Sequence, residues 1–187
     1  PFTWASGLRS PIYCDNRKIL SYPTIRKSVA QAFVDIISTF DQHPEIIAGV
    51  ATGGIGIGAL IADLMNLPFI YVRSEAKKHG MGNQVEGYFE KGQKVVVIED
   101  LISTGKSSLQ VVDVLRAAGA EVVGMVAIFT YDFAQAAEAF AAANVPFMCL
   151  TNYPSLISLA VEKGYVTKEQ ESILLDWRNS PSTWTGK

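Results

Sequence analysis

One stretch of the chain indicates the fold most directly, and it reads VVVIEDLISTGKS at residues 95–107. Its four leading apolar residues are typical of a strand that is buried on both faces of a parallel sheet. Two acids, Glu99 and Asp100, follow directly, and a hydroxyl-rich turn that contains Gly105 comes next. Residues 104–118 then have the pattern of a helix. The stretch therefore predicts a strand, a polar turn and a helix in succession.

The same alternation extends to both sides of this stretch. It predicts strands at 46–51, 69–72, 121–130 and 147–151, and helices at 26–40, 55–65, 133–143, 155–163 and 167–178. Strands that alternate with helices indicate an α/β fold with a mostly parallel central sheet and helices on both faces. We expect a single domain, in which residues 1–25 form a small N-terminal hood and residues 26–187 form the core. Residues 73–92 have no clear period, and we expect a mobile loop at 73–87.

Composition excludes several classes of protein. Apolar residues make up 49% and charged residues 18% of the 187 positions, which is typical of a globular rather than a disordered chain. The net charge of −2 argues against a nucleic-acid partner. No apolar run reaches the roughly 18 residues of a membrane span, so we expect no membrane partner and a cytoplasmic location. Cys14 and Cys149 are too far apart in sequence to suggest a disulfide framework or a metal site.

A glycine-rich junction follows the predicted strand at 46–51. Within it, Gly54, Gly56 and Ala59 fit the loose form of the dinucleotide-binding fingerprint, and Glu75 lies 21 residues beyond Gly54. A nicotinamide-binding domain is therefore one interpretation. The other is that these glycines serve only a tight turn and close packing.

The junction at 95–107 has different chemistry. It is not a Walker A loop, because Asp100 stands where that motif needs glycine. Hydroxyls and backbone N–H groups at the start of a helix suit a monophosphate. The two acids suit vicinal sugar hydroxyls or the shell of a magnesium ion. Together these groups indicate a ribose 5-phosphate site, and the alternative is that Asp100 and Ser103 only cap the helix.

Three motifs carry a resemblance to a known family. Residues 95–107 resemble the signature for phosphoribosyl pyrophosphate (PRPP) of the type I phosphoribosyltransferases. Arg73-x-x-x-Lys77-x-His79-Gly80-x-Gly82 resembles the mobile catalytic loop of the orotate phosphoribosyltransferases within that family. Phe2-Thr3-x-x-Ser6-Gly7-x-x-Ser10-Pro11-Ile12-Tyr13 resembles their orotate-side segment. Beyond residue 107 the resemblance is one of architecture.

The resemblance implies an activity and its requirements. Such enzymes join orotate to PRPP in pyrimidine biosynthesis and release pyrophosphate and orotidine 5′-monophosphate. Mg²⁺ is the implied cofactor, carried by the pyrophosphate rather than by protein ligands. The implied assembly is a homodimer in which the mobile loop crosses to the active site of the partner. A PRPP-dependent transferase for another base and a PRPP-sensing regulator of the same fold are the alternatives.

The resemblance also assigns roles to individual residues. Catalysis falls to Arg73, Lys77, His79 and Asp100. PRPP binding falls to Arg73, Lys77, His79, Thr52, Gly53, Glu99, Asp100, Leu101, Ile102, Ser103, Thr104, Gly105, Lys106 and Ser107. Orotate binding falls to Ser103, Ser6, Gly7 and Arg9.

The sequence departs from the enterobacterial pattern of these enzymes at several positions. Ala5 and Gly53 stand in place of lysines, Ser74 replaces a second loop cation, and the stretch at 130–132 lacks an orotate-binding arginine. We therefore expect Arg9 and backbone amides near Ser6 and Gly7 to meet the orotate carboxylate. The relatives also carry a helix ahead of the Phe2-Thr3 segment, and we expect further residues ahead of Pro1.

Overall fold

The computed structural model describes residues 1–4, 7–75 and 84–184. It contains the strands β1 (Phe2–Thr3), β2 (Arg9–Ser10), β3 (Ile46–Val50), β4 (Phe69–Val72), β5 (Val85–Glu86), β6 (Lys94–Ile102), β7 (Glu121–Thr130) and β8 (Phe147–Asn152). The helices are α1 (Pro23–Ile37), α2 (Gly53–Met65), α3 (Lys106–Ala117), α4 (Ala134–Ala142), α5 (Tyr153–Glu162) and α6 (Lys168–Asn179). A short 3₁₀ helix at Asn16–Ser21 precedes α1.

The central sheet confirms the predicted fold class. Its six strands lie in the order β5-β4-β3-β6-β7-β8, and all neighbours run parallel except β5, which pairs antiparallel with β4 at one edge. β3 and β6, whose residues from Ile46 to Val50 and from Val95 to Glu99 are buried throughout, lie at its centre. Continuous burial on both faces explains their unbroken apolar sequences.

Helices cover both faces of this sheet. Apolar side chains of α3 and α4, such as Leu115 and Phe140, pack in the core on one face. The core on the other face takes side chains from α1, α2, α5 and α6, among them Phe33, Ile61 and Trp177. The sheet is thus the middle layer of three. The carboxyl ends of the parallel strands β3, β4 and β6 lie next to one another at the same end of the sheet.

Some predicted boundaries are wrong, and the errors have physical causes. The apolar run predicts a strand at 94–99, but β6 continues to Ile102 because Glu99, Leu101 and Ile102 pair with β7. Helix α3 consequently begins at Lys106 instead of residue 104. Residues 73–92 were expected to lack structure, but Val85 and Glu86 form β5. A two-residue strand gives no periodicity that a sequence could reveal.

The N-terminal segment, which we expected to form a small hood, contains two short strands and the 3₁₀ helix. β1 and β2 pair antiparallel, and Gly7, with a positive φ of 84°, lies in the turn between them. The Trp177 indole Nε1 on α6 donates a hydrogen bond to the Arg9 carbonyl at 2.8 Å, and the Asn16 side-chain amide donates to the Asp100 carbonyl at 2.7 Å. These two bonds attach the hood to α6 and to the end of β6. Helix α1 begins at Pro23 and so includes the last three residues of the predicted hood.

Across the described parts of the chain, no helix has the length and apolar character needed to span a bilayer.

Candidate active site

A cleft of about 490 Å³ opens where β3, β4 and β6 end. Ligands of open α/β sheets bind at this edge, outside the carboxyl ends of the strands. The predicted site residues that line the cleft are Thr52, Gly53, Arg73, Glu99, Asp100, Leu101, Ser103 and Ser107. Residues 52–53 follow β3, Arg73 follows β4, and the rest lie on or after β6, so the topology gathers segments that are up to 55 residues apart (from 52 to 107).

The two acids occupy different environments. Glu99 is only 5% exposed, and its carboxyl accepts hydrogen bonds from the Ser108 hydroxyl at 3.0 Å and from the Asp100 backbone N–H at 2.9 Å. Burial, and secondarily the neighbouring Asp100 carboxyl, raises the pKa of Glu99 to about 8. Asp100 is partly exposed to the cleft. The pair therefore offers a deeply held carboxyl beside a more accessible one.

The turn after β6 has the features of an anion site. Ser103 accepts a hydrogen bond from the Thr104 N–H through its hydroxyl oxygen at 2.6 Å, and Gly105 caps α3 with a φ of +79°. The first N–H groups of α3 lack partners within the helix, and the positive end of the helix dipole points the same way. Lys106 and Ser107 are exposed at this end. Backbone, hydroxyls and a cation are thus available to a phosphate.

Three predicted residues of this turn are buried or packed against the core. The Ile102 side chain is fully buried in the core, and its carbonyl accepts from the Tyr131 N–H at 3.1 Å. Gly105 is buried, and a Cβ there would lie 2.8 Å from the Phe140 ring. Leu101 lines the cleft while it packs against the core. Side-chain contact with a ligand in the cleft is excluded for Ile102 in this conformation.

The junction between β3 and α2 brings backbone segments of neighbouring elements very close together. A Cβ on Gly54 would lie 2.3 Å from the Ile98 carbonyl oxygen, and one on Gly49 would lie 2.7 Å from the Gly54 carbonyl oxygen. The peptide bond from Ala51 to Thr52 is cis. Close packing therefore accounts for Gly54, which also fits a dinucleotide fingerprint.

Gly53 has a different neighbour. A Cβ on this residue would lie about 2.2 Å from the Asp100 carboxyl oxygen Oδ2. The Asp100 carboxylate thus occupies the space that a side chain at position 53 would need, directly beside the first turn of α2.

Arg73 lies at the start of the predicted catalytic loop. Its backbone N–H donates to the Gln84 carbonyl at 2.9 Å, and the Gln84 side-chain amide donates to the Arg73 carbonyl at 3.1 Å. The Arg73 guanidinium pairs with Glu86 on β5 at 3.4 Å. These bonds close the base of the loop beside the cleft. Lys77 and His79, like Ser6, lie outside the described residues.

Sequence reasoning missed several residues that line the cleft: Trp4, Tyr13, Cys14, Asp15, Arg17, Gln84 and Tyr131. The Trp4 and Tyr131 rings lie 4.7 Å apart and join the end of β7 to the hood. Asp100 and Asp15 contribute to a raised pKa of the Cys14 thiol, after burial as the main cause. Most of these residues lie inside or next to the quoted motifs, but those motifs did not indicate which side chains face inward. Arg9 and Gly7 are exposed in the hood and do not line the cleft.

Comparison with known proteins assigns the family. Residues 15–158 match the family described as phosphoribosyl transferase domain. An orotate phosphoribosyltransferase from Fusobacterium nucleatum is 54% identical over 179 residues, which cover 96% of this chain and 85% of that protein. The chain belongs to the orotate phosphoribosyltransferase family. A second member, from Bacteroides thetaiotaomicron, is 53% identical over 184 residues, covering 98% of this chain and 87% of that protein.

A solved structure agrees with membership of the orotate phosphoribosyltransferase family. The orotate phosphoribosyltransferase of Aeropyrum pernix superposes with a TM-score of 0.74 at 29% identity, over 88% of this chain and 90% of that one. The resemblance stated from three motifs is therefore confirmed, and the similarity extends well beyond residue 107. The nicotinamide-binding interpretation of the first junction is set aside, because the chain belongs to another family and close packing accounts for Gly54.

Proposed function

We propose that this chain transfers the 5-phosphoribosyl group of PRPP to orotate and forms orotidine 5′-monophosphate and pyrophosphate. The observation that carries the proposal is the cleft, in which the two acids, the hydroxyl-rich turn after β6 and Arg73 meet in a chain of this family. Pyrimidine biosynthesis is the metabolic setting that follows from this product.

The ribose 5-phosphate part of PRPP would bind along β6 and α3. In the proposal, the N–H groups and hydroxyls from Ser103 to Ser107 surround the 5-phosphate, and Lys106 adds positive charge. Asp100 and Glu99 accept hydrogen bonds from the ribose hydroxyls. As the ring becomes oxocarbenium-like, a carboxylate at this place stabilises the transition state more than the ground state.

The pyrophosphate would lie toward the β3 junction and the loop. Thr52 and Gly53 approach it through their backbone, and Arg73, Lys77 and His79 surround it with positive charge. Negative charge develops on the leaving pyrophosphate, so these cations act on the transition state. We propose that His79 also donates a proton to the leaving oxygen. Closure of the loop at 73–87 would exclude water from the reacting centre.

Magnesium would enter with the substrate. Among residues 1–4, 7–75 and 84–184, no group of three or more His, Cys, Asp and Glu side chains is placed to hold a metal ion. In the proposal the pyrophosphate oxygens of PRPP supply the ligands. The ion neutralises part of the charge on the leaving group when it is bound.

The base would lie between the hood and the end of β7. Ser103 lies at this end of the cleft, and Trp4 and Tyr131 add aromatic surface there. Arg9, Ser6 and Gly7 remain the proposed partners of the orotate carboxylate. Because Arg9 and Gly7 do not line the cleft in this conformation, the proposal requires the hood to move when the base binds.

The assay that tests the reaction follows the loss of orotate absorbance when PRPP and Mg²⁺ are added. Adenine, hypoxanthine and uracil serve as control bases. We expect turnover with orotate and at least a hundredfold lower kcat/KM with each control base. Turnover with a purine but not with orotate would assign the chain to another base, and PRPP binding without any transfer would favour a sensor.

We also propose a homodimer in which each loop acts in the partner's site. Lys77→Ala and Asp100→Ala dimers should each be nearly inactive. After subunit exchange about half the dimers are mixed, and each mixed dimer has one intact site, so about a quarter of the parental activity should return. A mixture that exchanges subunits and stays inactive would contradict the shared site but not the reaction.

A further inference from the structure

Helix α3 carries one polar residue in its buried stripe. The buried residues of the helix are Ser108, Val111, Val112 and Leu115, which follow the i, i+3, i+4, i+7 spacing of a core-facing surface. Ser108 is 1% exposed, so its hydroxyl has been removed from water, which costs free energy unless the hydroxyl is hydrogen-bonded. A hydroxyl at such a position needs a partner, and its partner here is the Glu99 carboxyl.

The bond between them spans the whole phosphate-binding turn. Ser108 Oγ donates to Glu99 Oε2 at 3.0 Å, while Glu99 Oε1 accepts from the Asp100 N–H at 2.9 Å. Residue 99 lies on the strand before the turn and residue 108 lies in the helix after it. Each carboxyl oxygen therefore has one protein donor, and the Asp100 carboxyl forms a further side-chain hydrogen bond with the Glu99 carboxyl.

We propose that Ser108 is a positioning residue that acts through Glu99: it fixes the orientation of this carboxyl at the cleft and ties the two ends of the phosphate-binding turn together. The inference rests on the proposed PRPP site. The two adjacent acids therefore have different roles. Asp100 meets the sugar directly, and Glu99 depends on the hydroxyl behind it for its orientation.

The charged surroundings of Glu99 determine how this role can be observed. Asp100 is the charged neighbour that acts on the Glu99 carboxyl, and Asp15, Arg17 and Arg73 are the other charged side chains that the described residues contribute to the cleft. The Ser108 bond favours the ionised form of Glu99. Removing the hydroxyl should raise the pKa of Glu99, and so shift any PRPP affinity that depends on the carboxylate to higher pH.

The test measures binding of Mg²⁺·PRPP by calorimetry from pH 5.5 to 9.5, without any base present. Ser108→Ala should weaken binding about five- to tenfold at pH 8 and move the midpoint of its pH dependence upward by about one unit. The difference between variants is the readout, because the phosphates of PRPP also titrate in this range. The KM for orotate at saturating PRPP should stay within twofold of the parent's.

Two further variants separate positioning from loss of stability. Ile37→Val lies in the core on α1, does not line the cleft, and should lose comparable stability while PRPP affinity and its pH dependence stay unchanged. In a Glu99→Gln background, Ser108→Ala should cause no further loss of affinity, because the hydroxyl acts only through that carboxyl.

The proposal would be overturned if Ser108→Ala kept the parental PRPP affinity and pH dependence. It would also be overturned if Ser108→Ala lost as much PRPP affinity in the Glu99→Gln background as in the parent. A parent that binds no PRPP would instead refute the proposed function. A parent that binds PRPP but does not consume orotate would leave the role of Ser108 testable by the same titration.

Discussion

Two glycine-containing junctions lie side by side at the same edge of the sheet, and they use glycine for different reasons. Between β3 and α2, glycines at positions 49 and 54 allow backbones to approach more closely than any side chain permits. Between β6 and α3, Gly105 adopts a positive φ of 79° that places the start of the helix. The first junction supplies space and backbone, while the second supplies carboxylates, hydroxyls and a cation.

The comparison shows that the two junctions depend on each other, because a functional group of the second uses space that a missing side chain of the first leaves free. Asp100 belongs to the second junction, but its carboxylate lies in the space beside Gly53 of the first. A glycine motif in the sequence therefore gives little information about which ligand binds beside it. The function of such a glycine depends on which group occupies the space that a side chain would otherwise fill.

Replacing the accessible acid should have the largest effect. Asp100→Asn should lower kcat/KM about 30- to 1000-fold, which corresponds to about 2–4 kcal/mol, because a charged acceptor for the ribose hydroxyls is lost. Thermal unfolding should change by no more than about 4 °C, since the side chain is partly exposed. Steady-state kinetics on the folded variant is the measurement. A kcat/KM within threefold of the parent's would show that the second junction does not carry the chemistry.

Adding a methyl group at the second junction should affect stability. Gly105→Ala combines a positive φ with a Cβ placed 2.8 Å from the Phe140 ring, so we expect a loss of about 2–4 kcal/mol in the free energy of unfolding. Gly164→Ala is the matched control, because its φ is +74° and a Cβ there meets nothing within 4 Å. The control should lose only the backbone part, about 1 kcal/mol. Equal losses in urea denaturation would mean that packing against Phe140 is unimportant.

Adding a methyl group at the first junction should affect catalysis. In Gly53→Ala the Cβ displaces the Asp100 carboxylate, and we expect kcat/KM for PRPP to fall about tenfold. Gly56→Ala in the same helix is the control, since its Cβ lies 3.0 Å from a terminal methyl of Leu20, which can move aside. Both variants gain similar helix propensity.

A double-mutant cycle sharpens this test. In an Asp100→Ala background the carboxylate is absent, and Gly53→Ala should have no further effect on kcat/KM. Full additivity of the two changes would contradict the contact between the junctions.

The smallest effect concerns the buried acid and depends on pH. Because the folded protein raises the pKa of Glu99 from 4.5 to about 8, it binds this proton more tightly than the unfolded chain. This group therefore makes the parent lose stability as pH rises from about 4.5 to about 8. Glu99→Gln should remove that loss and raise the Tm at pH 8.5 by about 2–4 °C, or about 1 kcal/mol.

Thermal scans at pH 4.5 and 8.5 check this prediction. At pH 4.5 the parent carboxyl is largely protonated in the folded state, so the two proteins should differ much less. A lower Tm of Glu99→Gln at pH 8.5 would show that the ionised carboxylate is stabilised by its hydrogen bonds more than burial destabilises it.

The sequence predicted most of the core because that information is local. Continuous apolar runs such as 95–98 indicate buried strands, and the stripe on α3 indicates a helix against them. Of the site residues predicted from Glu99 to Ser107, the structure places Glu99, Asp100, Leu101, Ser103 and Ser107 in the lining of the cleft. β5 was missed because two residues have no period, and the end of β6 was misplaced because its ladder with β7 continues past the acids.

By itself, the sequence determined the α/β class, the mostly parallel sheet and the family. Only the tertiary structure decided which acid is buried, that Ser108 holds it, and that Gly53 leaves room for Asp100. The tertiary structure also decided that Trp4 and Tyr131 meet at the cleft. The physical reason is that burial and contact between distant segments depend on the packing of separate elements. A local sequence pattern does not specify which residues of distant segments pack against a given side chain.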